Sequence, residues 1–285
     1  MRIAALAGLC ALLCACGDPQ PQAPQTGAAQ RVVTFAPHLA EIMYLIGADE
    51  QLVGVSAWSD FPREVLKLPH VGDAFTIDQE QLSLLEPDLV LVWESGMPVH
   101  TVDELRTRGY RVAAIRTRNL DDVAAAIVEL GALTGRVSQA AAAANEFTST
   151  LDELRTEFSG AAPIGVFFQV STRPLYTINR EHFISEIIEI CGGRNIFADV
   201  GEFAPSVSVE AVVDRDPDVM LAGTNLGDDA FAEWSRWPNM AANRYGNQFL
   251  LPDETIGRPS PRLAIAARSV CVALGQARAN RQAAQ

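Results

Sequence analysis

Ile77-Asp-Gln-Glu80-Gln-Leu-Ser-Leu-Leu-Glu-Pro87-Asp-Leu-Val-Leu91 and Val207-Ser-Val-Glu210-Ala-Val-Val-Asp-Arg-Asp-Pro217-Asp-Val-Met-Leu221 carry the same pattern in two places in one chain. Each copy predicts a short amphipathic helix, a Pro-Asp turn and then a buried strand of continuous apolar residues. A spacing from residue 77 to residue 207 is far longer than the repeat of a solenoid. It marks two similar lobes, each presenting a glutamate, Glu80 or Glu210, at the same station.

The flanking sequence extends the pattern. Before the first copy, a strand over 31–35, a turn at Ala36-Pro37-His38, a helix over 39–46 stopped by Gly47, and a strand over 52–56 follow in order. After it come a helix near 102–108, a strand over 111–115 and a helix over 120–133, completing a lobe that spans 31–135. The second lobe, 160–285, begins again with a strand over 164–170, a turn at Thr172-Arg173-Pro174 and a helix over 183–190 ended by Cys191-Gly192-Gly193. It closes with a strand over 248–251 and a helix over 262–274, with the residues beyond Gly275 expected to fray. Strands alternating with helices predict an α/β chain with mainly parallel sheets.

Between the lobes, residues 136–158 contain neither Gly nor Pro and include the run Ala140 to Ala144. Such a stretch predicts one uninterrupted helix about 35 Å long, occupying 136–159 and acting as a stiff connector. The alternative is another peripheral helix of the first lobe.

The start of the chain points to export. Met1-Arg2 precedes an uncharged apolar run from Ile3 to Ala15, too short for the roughly 20 residues that span a bilayer. Residues 1–15 thus read as a signal peptide. Leu13-Cys14-Ala15-Cys16 resembles a bacterial lipobox, which implies lipidation at Cys16; an ordinary cysteine-rich signal is the alternative. The Pro/Gln/Ala-rich stretch that follows makes 16–30 a flexible tether. Attachment to the membrane would then be through that anchor alone. Cys191 and Cys271 remain, and in an oxidising compartment a pair is expected to join; two buried free thiols are the other reading. Neither has a second ligand at zinc-site spacing, so no metal site is expected.

The formal net charge of −13 argues against nucleic-acid binding, which needs a basic footprint. No nucleophile elbow, HExxH, phosphate-binding glycine loop or CxxC pair is present, and His38, His70, His100 and His182 are isolated from one another. Nothing in the sequence assembles a catalytic set, and a binding protein is favoured over an enzyme tethered outside the cell.

The motifs 31–37 (RVVTFAP), Glu41, Leu45-Ile-Gly47, Val53-Gly-Val55, Ser59-Asp-Phe-Pro62, 85–90 (LEPDLV), 191–197 (CGGRNIF) and Ser260-Pro-Arg262 resemble those of the helical-backbone substrate-binding proteins of ABC importers. The resemblance covers residues 31–275. Within that family, 56–62 (SAWSDFP), Val92-Trp93, the Cys191/Cys271 pair, and Glu254 with Arg258 ahead of Ser-Pro-Arg resemble the cobalamin-binding branch. The branch carries tryptophans where this chain has Ala74 beside Phe75 and Ala204 beside Phe203.

The resemblance implies a ligand cleft between two lobes held by the long helix, with no bound cofactor, a corrinoid as cargo, and an ABC permease dimer with its ATPase subunits as partner. The protein itself is expected to be a monomer. Trp58 and Trp93 follow strands and are expected to face that cleft, where an aromatic ring can cover an apolar corrin face. Tyr176, Phe75 and Phe203 are expected beside them. Glu254 and Arg258 are expected to hydrogen-bond the ligand, with Asp253 as a substitute acid. Glu80 and Glu210 are implied to dock on the two permease subunits, although each also suits a helix N-terminus. Haem or a ferric siderophore remains an alternative cargo; for haem, His38 would supply an axial ligand from the loop after the first strand.

Overall fold

The computed structural model describes residues 27–284. The signal segment, Cys16 and most of the tether lie outside the described residues. In lobe one, β1 (Val32–Thr34), α1 (Pro37–Leu45), β2 (Leu52–Val55), α2 (Gln79–Leu84), β3 (Leu89–Trp93), α3 (Val99–Thr107), β4 (Val112–Ile115) and α4 (Leu120–Thr134) alternate as strand and helix. Its sheet is wholly parallel in the order β2-β1-β3-β4.

Helix α5 (Val137–Glu157) leads into lobe two. There follow β5 (Ile164–Gln169), the hairpin of β6 (Ser171–Thr172) and β7 (Leu175–Tyr176), α6 (Phe183–Ile190) and β8 (Gly193–Asn195). The second repeat copy and its sequel supply α7 (Val209–Arg215), β9 (Val219–Gly223), α8 (Ala241–Arg244), β10 (Gln248–Leu251), α9 (Asp253–Ile256) and α10 (Leu263–Ala283). The second sheet, β10-β9-β5-β8, is also parallel. Taken by order of appearance, each sheet runs second, first, third, fourth, so the lobes share one topology and the repeated strand is third in both.

The repeat has a physical reason. In lobe one the Asp88 carboxylate of the Pro-Asp turn accepts hydrogen bonds from the backbone of Gln30 at 2.8 Å and Arg31 at 3.0 Å, where β1 begins. In lobe two Asp218 does the same for Gly165 at the start of β5, at 2.8 Å. Each aspartate thus fixes the register of its lobe's first strand against the third. The helices before them are capped alike: the Asp78 side chain accepts from Gln81 N and the Ser208 side chain from Ala211 N.

The buried stripe of α5, Ala140, Ala144, Phe147, Leu151 and Leu154, has the three-and-four spacing of a helix face. It packs on α4 of lobe one and on α6 and α10 of lobe two. Gly131 of α4 makes the first contact close: a Cβ there would fall 2.2 Å from that of Ala140. One buried apolar cluster therefore runs from lobe one along α5 into lobe two, and the 21 residues of α5, at about 1.5 Å of rise each, give a connector near 30 Å long.

Two expectations are corrected at the ends. The tether stops earlier than residue 30, because Ala29 is buried, its N–H donates to Leu133 O at 2.8 Å and its carbonyl accepts from Gln51 Nε2 at 2.6 Å. The chain beyond Gly275 does not fray: α10 continues to Ala283. Leu274 and Ala277 keep its apolar face buried. Arg278 donates to Ala162 O and Cys191 O, both at 2.8 Å, and Asn280 donates to Asn247 at 3.0 Å. Cys191 and Cys271 form a disulfide joining the end of α6 to α10.

Candidate ligand-binding cleft

Parallel strands deliver their following loops to one edge, and here the two edges face each other. Arg258, two residues before the Ser-Pro-Arg turn of lobe two, reaches lobe one: Nη1 donates to Asp60 Oδ1 at 2.5 Å, and Nη2 to Asp60 Oδ2 at 3.0 Å and to the Trp58 carbonyl at 3.2 Å. Arg262 donates to Glu41 of α1 through Nε at 2.9 Å and Nη2 at 2.6 Å, while the Phe61 ring covers its guanidinium at 4.2 Å. The Glu41 carboxylate also lies 3.5 Å from Arg258. Elsewhere along the seam, Leu120 N of α4 donates to Glu186 of α6 at 2.9 Å, and Arg118 of lobe one sits 5.8 Å over the Phe203 ring of lobe two. These cross-lobe contacts join the carboxyl ends of the two sheets in one seam, the place where open α/β sheets bind ligands.

Trp58 stands at this seam. The tight turn after β2 places Trp58 at φ 68, stabilised by Ala57 N donating to Gly72 O at 2.7 Å and by the Ser56–Ser59 hydroxyl contact at 3.3 Å. A left-handed conformation is costly for a bulky residue. Its result is a Trp58 side chain that stands 79 % exposed, on the residue whose backbone carbonyl accepts from Arg258. Phe75, in the 72–77 loop tied to Ala57, is exposed as well. Tyr176 lies on β7 of the hairpin that follows β5, also at the carboxyl edge, and is partly exposed.

Trp93 differs from the expectation. At the end of β3 its ring packs edge-on against His38, with centroids 5.2 Å apart, and its Nε1 is buried. The turn behind it passes so close that a Cβ on Gly96 would fall 2.0 Å from the ring. The following turn covers part of what an isolated strand would have left open, so Trp93 is half-buried in the floor of lobe one and offers much less open face than Trp58. Phe203 is half-buried and stacks on His182 at 4.7 Å.

His38 is neither the polar loop residue expected of it nor placed for the axial role of the haem alternative. It sits in α1 and not in a loop, is 2 % exposed, and contacts Thr117 Oγ1 at 3.4 Å. Burial, assisted by the Arg258 charge, lowers its pKa to about 3, so it is neutral and sealed off from the mouth. It is not placed to ligate a haem iron. Among the described residues no group of three or more His, Cys, Asp or Glu side chains is arranged to hold a metal ion.

The acids near Arg258 separate by geometry. Asp253 is folded back, with Oδ1 against the backbone at Gly223 and Gly257, and burial raises its pKa. Glu254 is exposed. Asp60 is held below the usual carboxylate range by its hydrogen bond from Arg258. In the sequence Glu41, Asp60 and Arg262 stand only as motif residues of the resemblance, with no place in the site, and Arg118 and Glu186 have no part at all. Their partners lie as far as 221 residues away, a separation no local pattern encodes. Glu80 and Glu210 stand exposed in the first turns of α2 and α7, each at the same station of its lobe.

Two like lobes, a helical backbone and a cleft at the strand ends agree with the comparison to known families: the profile described as "Periplasmic binding protein" matches residues 32–255. The chain belongs to that family. It is a substrate-binding protein of the helical-backbone class, not an enzyme. The vitamin B12-binding protein of Vibrio cholerae serotype O1 is 33% identical over 247 residues, covering 86% of this chain and 89% of the relative. Among solved structures, the periplasmic vitamin B12 binding protein BtuF of Vibrio cholerae superposes with a TM-score of 0.79 at 32% identity, covering 88% of this chain and 98% of that one. The periplasmic heme binding protein HutB of Vibrio cholerae has a TM-score of 0.77 at 21% identity, covering 86% and 98%, a likeness of fold alone. No helix among the described residues is long and apolar enough to cross a membrane.

Proposed function

We propose that this protein captures cobalamin or a related corrinoid between its lobes and delivers it to an ABC permease, as the exported, Cys16-anchored component of an importer. The observation that carries the reading is the exposed Trp58 side chain on a residue tied to Arg258 of the other lobe through its backbone carbonyl. A corrin presents a broad apolar face and an amide rim. The indole suits the face, and the neighbouring Arg258 and Glu254 suit the rim, donating to and accepting from amides. In this reading Phe75, Tyr176 and Phe203 add aromatic contacts to the same ligand. The relatives named for vitamin B12 support the same choice.

The connector shapes how the cargo is held. A packed helix bends far less than a pair of extended hinge strands, so closure around the ligand is small and the cleft is largely preformed. Glu80 and Glu210, related by the two-lobe symmetry, dock on the two halves of the permease. Charged contacts of that kind set orientation and encounter rate more than affinity.

Isothermal titration of the mature protein with cyanocobalamin, haemin and a ferric siderophore tests the reading. Cyanocobalamin is expected to bind most tightly. Its failure to bind at micromolar protein would remove the corrinoid assignment.

A further inference from the structure

Resting on the corrinoid reading and deepening it, we propose that Asp60 is a specificity-determining residue: it covers Arg258 and so denies polyanionic ligands a free cation in the mouth. Arginines in a cleft ordinarily invite carboxylates. Here both terminal nitrogens of Arg258 are spent on lobe one, on Asp60, Glu41 and the Trp58 carbonyl. Arg262 is spent on Glu41 and lies against Phe61. Asp253 and Glu254 stand one turn before Arg258, and the Arg258 charge acts on Asp253. Glu41, Asp60, Asp253 and Glu254 against Arg258 and Arg262 leave this side of the mouth formally two charges negative.

Glu41 and Asp60 divide the work. The Glu41 side chain is 3% exposed and lies between the two arginines, where it serves the lobe seam. The Asp60 side chain is 55% exposed, so a ligand meets it directly. A neutral ligand rimmed with amides can donate to Asp60 and accept from Arg258 Nε, the one guanidinium N–H not engaged on lobe one, without separating the pair. A tetrapyrrole carrying two propionates must push Asp60 off Arg258 and leave that carboxylate unpaired beside its own. The repulsion is local to the Arg258 side of the mouth. Arg116 is paired with Asp122 at 2.9 Å, and Arg118 lies on Phe203.

The test is the ratio of haemin to cyanocobalamin affinity in the unaltered protein and in Asp60→Asn, measured by titration. Removing one charge about 6 Å from a ligand carboxylate, at an effective dielectric of about 40, shifts anion affinity about tenfold. The ratio is expected to rise by about that factor in Asp60→Asn. A ratio that stays within about twofold, or falls, overturns the proposal. A second reading needs no variant: haemin binding to the unaltered protein should strengthen as salt rises, because a repulsion is being screened. Haemin binding that weakens with salt overturns the proposal too. Should cyanocobalamin fail to bind the unaltered protein, the corrinoid reading falls, while haemin affinity in Asp60→Asn against the unaltered chain still decides whether Asp60 repels anions.

Discussion

Replacing Trp58 by alanine separates a ligand platform from a structural plug. The indole is 79 % exposed, so a flat ligand lying on one face would cover about 100 Å² of it, roughly half of what a tryptophan can bury. At about 25 cal/mol per Å² that contact is worth about 2.5 kcal/mol. Converted at 1.4 kcal/mol per decade, Trp58→Ala should weaken cyanocobalamin about 60-fold. Stability should hardly move, because an exposed side chain contributes little to the core. A change within about 0.5 kcal/mol corresponds to a melting shift of at most about 2 °C in a chain of this size. Titration calorimetry and a thermal melt on one preparation give both numbers. Trp93→Ala is the internal contrast: its ring is wedged between His38 and the Gly96 turn, so it should cost stability before affinity. Cyanocobalamin affinity within threefold of the unaltered protein, or a Trp58→Ala melt lowered by more than about 5 °C, would refute the argument.

Three further outcomes follow from other parts of the molecule. Reversing both Glu80 and Glu210 to arginine should abolish stimulation of the permease's ATPase in reconstituted vesicles while ligand affinity changes less than about threefold; lost ligand binding would show that docking and capture are not separable. Replacing Cys191 and Cys271 together by serine removes a bond between residues 80 apart and should lower stability by about 3–5 kcal/mol, read by denaturant unfolding, with little change in cargo preference. His38 supplies a pH signature. Its pKa is lowered to about 3 in the fold from a usual value of 6.5, so between those pH values the unfolded chain binds the extra proton. Stability should therefore be intact above pH 6.5 and decline as acid is added towards pH 3. His38→Asn should flatten that slope in melting temperature against pH, and an unchanged slope would deny the residue its part.

The Glu80 and Glu210 copies illustrate how far local pattern reaches. Helix, turn and strand in each copy are short-range events, set by apolar spacing, a capping side chain and a proline that ends a helix. The sequence therefore determined the twin lobes, the parallel sheets and the long helix between them. It also placed Trp58 at a loop after a strand. It misjudged Trp93 and His38 because their surroundings are built by residues remote in the chain, the Gly96 turn on one and Thr117 on the other. The tail beyond Gly275 was misjudged for a related reason. A glycine and several polar residues look like an ending until Asn247, Ala162 and Cys191 come within hydrogen-bonding distance.

What only the tertiary structure decided is the electrostatic character of the mouth. Arg258 is a cation when read along the chain, and 198 residues separate it from the Asp60 that covers it. Side-chain charge is written in each residue, but its availability depends on which partner lies within about 3 Å. That distance is fixed by how α5 sets one lobe against the other.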